Sequence, residues 1–173
     1  MNDLLPTDVH LDTGIAIAAT FPATLHSIGA RDLCQRLIHQ GCTVYFSQVL
    51  RLEFTEAVRK LATIHGRVPP EVRRRFRLDD WERDVTVRRG WLLFAVDRLE
   101  SLLLRFTEVY EIPFDHSIWL RSVEGMAERQ LRSHDAIHLA TAYENRLACF
   151  ATTDDEFLKV PNLDVRLIRD PLT

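Results

Sequence analysis

The chain reads as an α/β protein built on a parallel sheet, and three observations predict this. Five short apolar, β-branched or aromatic runs, at 9–12, 43–46, 109–112, 148–152 and 165–168, alternate with longer segments whose apolar residues recur at helical spacing. At 173 residues, 46% hydrophobic and 27% charged, the chain is long enough to bury one sizeable core and too short for two comfortable ones. One run ends in an acid, Asp12, another is followed two residues on by Asp154, and an open α/β sheet binds its ligands beyond the carboxyl ends of its strands.

Taken in order, Val9-His10-Leu11-Asp12 is the first strand, with an apolar helix expected after Thr13. His26–Gln40 sets Ile28, Leu33, Leu37 and Ile38 on one side and stops at Gly41, which can supply a left-handed cap. After the strand at 43–46, Ser47 is a plausible N-cap for a helix whose stripe is Leu50, Phe54, Ala57, Val58 and Leu61, with Glu53 inside it. Gly66 and Pro69-Pro70 interrupt the pattern, so 66–90 reads as a surface excursion with a short helix and irregular flanks. Leu92, Ala95, Val96, Leu99, Leu102, Leu103 and Phe106 mark a long amphipathic helix. The strand at 109–112 follows and is ended by Pro113. Further helices are expected over Ser117–Leu131 and from Ser133, before the last two strand runs.

The net charge of −3 gives no general attraction to polyanions, so a nucleic-acid site would have to come from local charge. Residues 51–90 supply such a bias, with 11 of the 22 Lys and Arg against 7 acids. Within it, Arg73, Arg74, Arg75 and Arg77 are the candidate phosphate contacts, a solvated charged loop being the competing reading. Cys34, Cys42 and Cys149 are odd in number and lack C-x-x-C spacing, which argues against a disulfide framework or a thiolate zinc site. Met1–Pro6 has neither a cationic start nor an apolar run, and no stretch approaches a bilayer-spanning length. A cytoplasmic, non-membrane protein is expected.

Each of the four candidate acids also has an ordinary reading. Asp12 could cap a helix, Asp154 lies in good turn chemistry, and Asp135 sits at a helix start where the macrodipole favours an anion. Glu53 is the most specific, because a carboxylate in an apolar stripe loses hydration and needs a cation, either a metal or a buried Arg. If the acids converge, each like-charge pair at about 4 Å repels by roughly 4 kcal/mol at an effective dielectric near 20, which a divalent cation would relieve. All-oxygen donors favour Mg²⁺ or Mn²⁺ over Zn²⁺. His134 and His138, spaced i, i+4, could bind a softer metal but lack a third ligand nearby, so an exposed or hydrogen-bonding role is preferred. There is no phosphate loop, dinucleotide turn, H-E-x-x-H motif or nucleophile elbow, which narrows the field toward metal-assisted hydrolysis.

The order Asp12, Glu53, Asp135, Asp154 resembles the acidic series of the PIN-domain nucleases, particularly VapC-like toxins. Leu11-Asp12-Thr13 ahead of an apolar helix is similar to the first motif, and Ser47-x5-Glu53 to the second. His134-Asp135-Ala136-Ile137-His138-Leu139-Ala140-Thr141-Ala142 is the nearest match, followed by Thr152-Thr153-Asp154-Asp155-Glu156-Phe157. Two positions depart: Gly14 stands where many members have Asn, and Glu156 where Asp or Asn is frequent. The second leaves Asp154, Asp155 and Glu156 as alternatives for the fourth acid. The resemblance implies one three-layer domain over 1–173, a central parallel sheet of about five strands flanked by helices. It also implies endoribonucleolytic cleavage of single-stranded RNA, with Asp12 and Asp135 as principal Mg²⁺ or Mn²⁺ ligands and Glu53 and Asp154 assisting. A cognate antitoxin and a homodimer are the implied partners. A non-catalytic PIN-like module that binds RNA or protein is the alternative, motivated by Gly14 and the open fourth acid.

Overall fold

The computed structural model describes residues 5–64, 66–147, 149–161 and 163–170. Its centre is a five-stranded, all-parallel sheet: β1 (Asp8–Leu11), β2 (Thr43–Ser47), β3 (Glu108–Ile112), β4 (Cys149–Thr152) and β5 (Asp164–Leu167), in the order β3-β2-β1-β4-β5. The middle strand β1 and its neighbour β4 are buried almost throughout, which is why they read as unbroken apolar runs, whereas the edge strands β3 and β5 are largely exposed or half-buried. All five predicted strands are present to within one residue. Residue 148, the first of the fourth predicted run, lies outside the described residues, as do residues 1–4 of the predicted leaderless start.

Side chains alternate across the sheet, so β1 sends Val9 and Leu11 to one face and His10 to the other. On the first face lie α1 (Thr13–Thr20) and α2 (Ser27–Gln40), where Ile15, Ala18, Leu33 and Leu37 pack on Val9, Leu11, Val44 and Ala151. The core continues into α3 (Val49–Thr63) and α5 (Val85–Leu103) through Phe46, Phe54 and the fully buried Trp91, whose indole N–H donates to the Val58 carbonyl at 3.0 Å. On the second face, α7 (Ser133–Glu144) packs Leu139 and Ala142 with Phe150 and Phe157, and α6 (His116–Arg129) lies against α7.

Gly41 closes α2 in the left-handed conformation (φ 66°), as its position predicts. Three expectations are corrected. Ser47 is the last residue of β2 rather than a helix cap, and its hydroxyl faces the sheet's second side, where it meets a histidine. Val85, not Leu92, begins the long helix, because Asp84 caps it by accepting from the Thr86 amide at 2.8 Å. The excursion therefore ends sooner than 90 and consists of α4 (Pro70–Arg75) and a single 3₁₀ turn, Leu78–Asp80. Finally, α6 stops at Arg129, where Gln130 turns left-handed (φ 56°) and leaves Leu131 to fill the core beyond the helix. Among the described residues no helix is long and apolar enough to cross a membrane.

Candidate metal centre

The carboxyl ends of β1 and β4 lie side by side, and each is followed closely by an acid. Asp12 continues the ladder by donating its amide to the Ala151 carbonyl at 3.0 Å. Its carboxylate then accepts from the Thr13 amide at 2.7 Å and from the Thr152 hydroxyl at 2.7 Å. The capping role and the site role thus coincide in one side chain. Burial pushes its pKa up, and the nearby His138 and the two hydrogen bonds only partly offset that.

Glu53 enters from α3. One carboxylate oxygen accepts from His138 Nε2 at 2.6 Å and from the Thr13 hydroxyl at 2.7 Å, and the other lies 3.3 Å from His134 Nδ1. Burial would raise its pKa, but the His138 hydrogen bond and charge reverse the sign and leave it below the ordinary carboxylate value. The compensating cation is therefore a histidine, where a buried Glu more commonly draws on Arg.

His138 is wholly buried, in contrast to the exposed His134, and it takes the hydrogen-bonding role expected in the absence of a third ligand for a softer metal. Its Nδ1 lies 3.0 Å from Ser47 Oγ and 3.3 Å from His10 Nε2, and its Nε2 is 3.8 Å from Asp12 as well. Burial alone would lower its pKa, yet Glu53, Asp12 and Asp135 together raise it. His10, stacked on Phe150 at 4.9 Å, is held well below the ordinary value by burial and by His138, so it is neutral. Its other ring nitrogen, Nδ1, is buried without a hydrogen-bond partner among the described residues. With His138 doubly protonated, its Nε2–H serves Glu53 and its Nδ1–H is shared by Ser47 and His10. This relay escapes a reading of the sequence because its members come from β1, β2, α3 and α7; the available signal was a histidine inside the apolar run Val9-His10-Leu11.

Asp135 stands in the first turn of α7, half-buried, and its pKa is pushed up to about 6 by burial and then by Asp12, Asp154 and Glu53. Asp154 follows β4 and is fixed by accepting from the Glu156 amide at 2.9 Å, while its own amide donates to Thr152 Oγ1 at 3.0 Å. Asp135, Asp154 and Glu156 bring carboxylate oxygens within 4.8 Å of one another. Asp155 turns away to Arg169, 3.4 Å off, so of the three alternatives Asp154 and Glu156 face Asp135. An all-oxygen set whose central acid resists ionisation fits a hard divalent cation.

Gly14 is closely packed here: a Cβ at that position would lie 2.4 Å from Thr153 Oγ1 and 3.3 Å from Asp12 Oδ2, so the Thr153 side chain would have to turn to admit it. The space a larger residue would take is filled by the Thr153 hydroxyl. These groups line a cleft of about 500 Å³ that also carries Leu52 and Lys60 of α3. The basic residues of the excursion do not line it. Arg73 donates to Asp79 at 2.7 Å and to the Ala62 carbonyl at 3.0 Å, and Arg77 pairs with Asp80 at 2.7 Å, while Arg74 and Arg75 are exposed on α4.

A parallel α/β sheet that gathers acids beyond the carboxyl ends of β1 and β4, with a third acid from the first turn of α7, forms an oxygen-rich cluster at the edge where open α/β sheets bind ligands. The family model for the PIN domain matches residues 9–163, and the chain belongs to that family. No curated protein gives a match. Among solved structures, a chain of VapBC2 from Rickettsia felis, bound to a DNA fragment from the promoter, superposes with a TM-score of 0.59 at 14% identity. The match covers 93% of this chain and 98% of that one, a likeness of fold.

Proposed function

We propose that this chain is a single-domain, divalent-metal-dependent endoribonuclease that hydrolyses phosphodiester bonds of single-stranded RNA in the cytoplasm, as the toxin of a toxin-antitoxin pair. The observation that carries the reading is the acid cluster itself: Asp135, Asp154 and Glu156 bring carboxylate oxygens within 4.8 Å of one another, in a cleft that Asp12 and Glu53 also line. Such crowding is costly without a ligand and useful with one.

Asp12 and Asp135 are the principal ligands, with Asp154 and Glu156 closing the set and Glu53 assisting, held in place by His138. When bound, Mg²⁺ or Mn²⁺ would lower the pKa of water and neutralise charge on the phosphoryl oxygens. The chain's own share is orientation. Thr13 and Thr152 fix the carboxylates of Glu53 and Asp12, and the His138 relay keeps Glu53 ionised. Glu53 can then orient a water by accepting its hydrogen bond. Arg74 and Arg75 are available to phosphate at the periphery.

The toxin reading draws support from family membership and from the fold shared with a chain of a VapBC assembly, and it brings with it an antitoxin partner and a homodimer. The test is cleavage of a mixed structured RNA pool by wild type and Asp135→Asn, both shown to be folded, in Mn²⁺, Mg²⁺ or EDTA. Metal-dependent cutting lost in the variant is expected. RNA left intact by wild type in every metal, while still bound, would favour a binding module instead.

A further inference from the structure

The cleft does not end at the acids. A second depression of about 540 Å³ adjoins it, with Gly14, Ile17, Thr153 and Asp154 as the shared wall, and runs on to His26 and Arg169. Two lobes thus meet at the acid cluster, one bounded by Lys60 on α3 and the other by Arg169 just beyond β5. A polyanion crossing the cluster is repelled by unneutralised carboxylates and needs cations on its flanks.

Arg169 is fixed at that flank. Its Nη1 donates to the Thr153 carbonyl at 2.7 Å, next to Asp154, and meets His26 Nε2 at 3.1 Å. The segment that carries it is clasped on both sides. Ile168 donates its amide to the Thr152 carbonyl at 2.8 Å, and Asp170 accepts from the Ile28 and Gly29 amides at 2.9 Å each. Gly29 permits this approach, since a Cβ there would lie 2.4 Å from the Arg169 carbonyl oxygen. His26 is held at φ 64°, a left-handed conformation uncommon for a residue other than glycine, with its ring toward the guanidinium. Arg169 also pairs with Asp155, 3.4 Å away and with 68% of its side chain exposed, a weak pair that a phosphate can displace.

We propose, resting on the nuclease reading above, that Arg169, positioned by His26, forms a phosphate-binding subsite for the single-stranded RNA backbone on one side of the scissile bond, with Lys60 serving the other side. A guanidinium presents its donors in a planar fork that matches phosphate oxygens; Nη1 is held by protein, and Nη2 faces the exposed Asp155 carboxylate, the place a phosphate oxygen would take. Lys60 and Arg169 pair with Glu56 and Asp155, which line the same two lobes, whereas Arg73 and Arg77 pair with acids of the excursion and line neither.

The experiment measures the affinity of a fluorescent single-stranded oligoribonucleotide in EDTA across a salt series, beside cleavage in Mn²⁺, for the full chain and its variants. Arg169→Gln should weaken binding roughly three- to tenfold and reduce the log-log salt slope by about 0.7, the value for one single-strand phosphate contact. KM should rise with kcat largely kept. Arg169→Lys should keep the slope, and Asp170→Asn should lower the melting temperature without changing it. If wild type binds and cuts but Arg169→Gln has an unchanged slope, the subsite is wrong while the nuclease reading stands. Equal loss of slope in Asp170→Asn and Arg169→Gln would reduce Arg169 to a clasp, and loss in Arg74→Gln/Arg75→Gln instead would move the backbone to α4; both overturn the proposal. Wild type that neither binds RNA nor cuts it in Mn²⁺ removes the nuclease reading and the subsite together.

Discussion

Replacing His138 with Leu preserves apolar volume and removes every donor of the buried relay, so its cost follows from the hydrogen bonds that His138 makes. Glu53 gives up a charge-assisted hydrogen bond of 2.6 Å, a class of interaction contributing about 1.5–3 kcal/mol. The lower half of that range applies, because 19% of the Glu53 side chain is exposed and the Thr13 hydroxyl remains. Ser47 and His10 lie at 1% and 0% exposure, so each is deprived of a partner that water cannot replace, at about 1 kcal/mol or more apiece. The total is about 3–4 kcal/mol, a large fraction of the ~5–15 kcal/mol typical of a domain. Urea denaturation in EDTA, at a pH where His138 is protonated, measures it. A cycle with Glu53→Gln should return a coupling of about 1.5 kcal/mol or more. A destabilisation below about 1 kcal/mol, or additive single variants, would show that His138 is not the counter-charge of Glu53.

Both Asp135, raised from 3.8 to about 6, and His138, raised above 6.5, bind protons more readily in the folded chain. Each contributes stability that is full below its ordinary value and lost as pH rises through its folded one. The metal-free melting temperature of wild type relative to Asp135→Asn should therefore fall from pH 4 to 6, and relative to His138→Leu it should fall above 6.5, the comparison cancelling the opposite contribution of His10. Saturating Mn²⁺ should flatten the Asp135 part, and a profile identical with and without metal would contradict the assignment. For the same reason Asp135→Asn should raise the melting temperature in EDTA while abolishing Mn²⁺-induced stabilisation, both readable by calorimetry. Gly14→Ala should destabilise by about 1–2 kcal/mol despite alanine's better helix propensity, because its Cβ meets Thr153 Oγ1 at 2.4 Å. Gly14→Ala/Thr153→Ala should recover that loss in chemical denaturation, and no recovery would place the strain elsewhere. Trp91→Ala, which empties a fully buried site and strips a hydrogen bond from Val58, should cost about 3–5 kcal/mol by the same assay.

Much of the fold was legible because central parallel strands are buried on both faces and announce themselves as short apolar runs, as at Val9–Leu11 and Cys149–Thr152. The acids were legible for a related reason: position at a strand's end constrains where a side chain can point, and Asp12 and Asp154 need only that rule. What escaped was set by distant partners. Ser47 looks like a cap in its local sequence, but β2 continues through it and its hydroxyl is claimed by a histidine 91 residues away. The partner of Glu53 was invisible for the same cause. Glu156 was separable from Asp155 only once the turn after β4 fixed which side chain faces Asp135 and which faces Arg169. Composition alone could not sort the basic excursion, since charge counted along a chain does not reveal that Arg73 and Arg77 pair with Asp79 and Asp80 while Arg74 and Arg75 stay exposed.

The order β3-β2-β1-β4-β5 puts the first strand to be synthesised at the middle of the finished sheet. Until β4 emerges, β1 has an open edge, Asp12 lacks the Thr152 hydroxyl, and Asp154 and Glu156 do not yet exist. No N-terminal fragment short of that strand carries the centre, however well its helices form. Assembly of the acid cluster therefore waits on β4, however early the strands and helices ahead of it form.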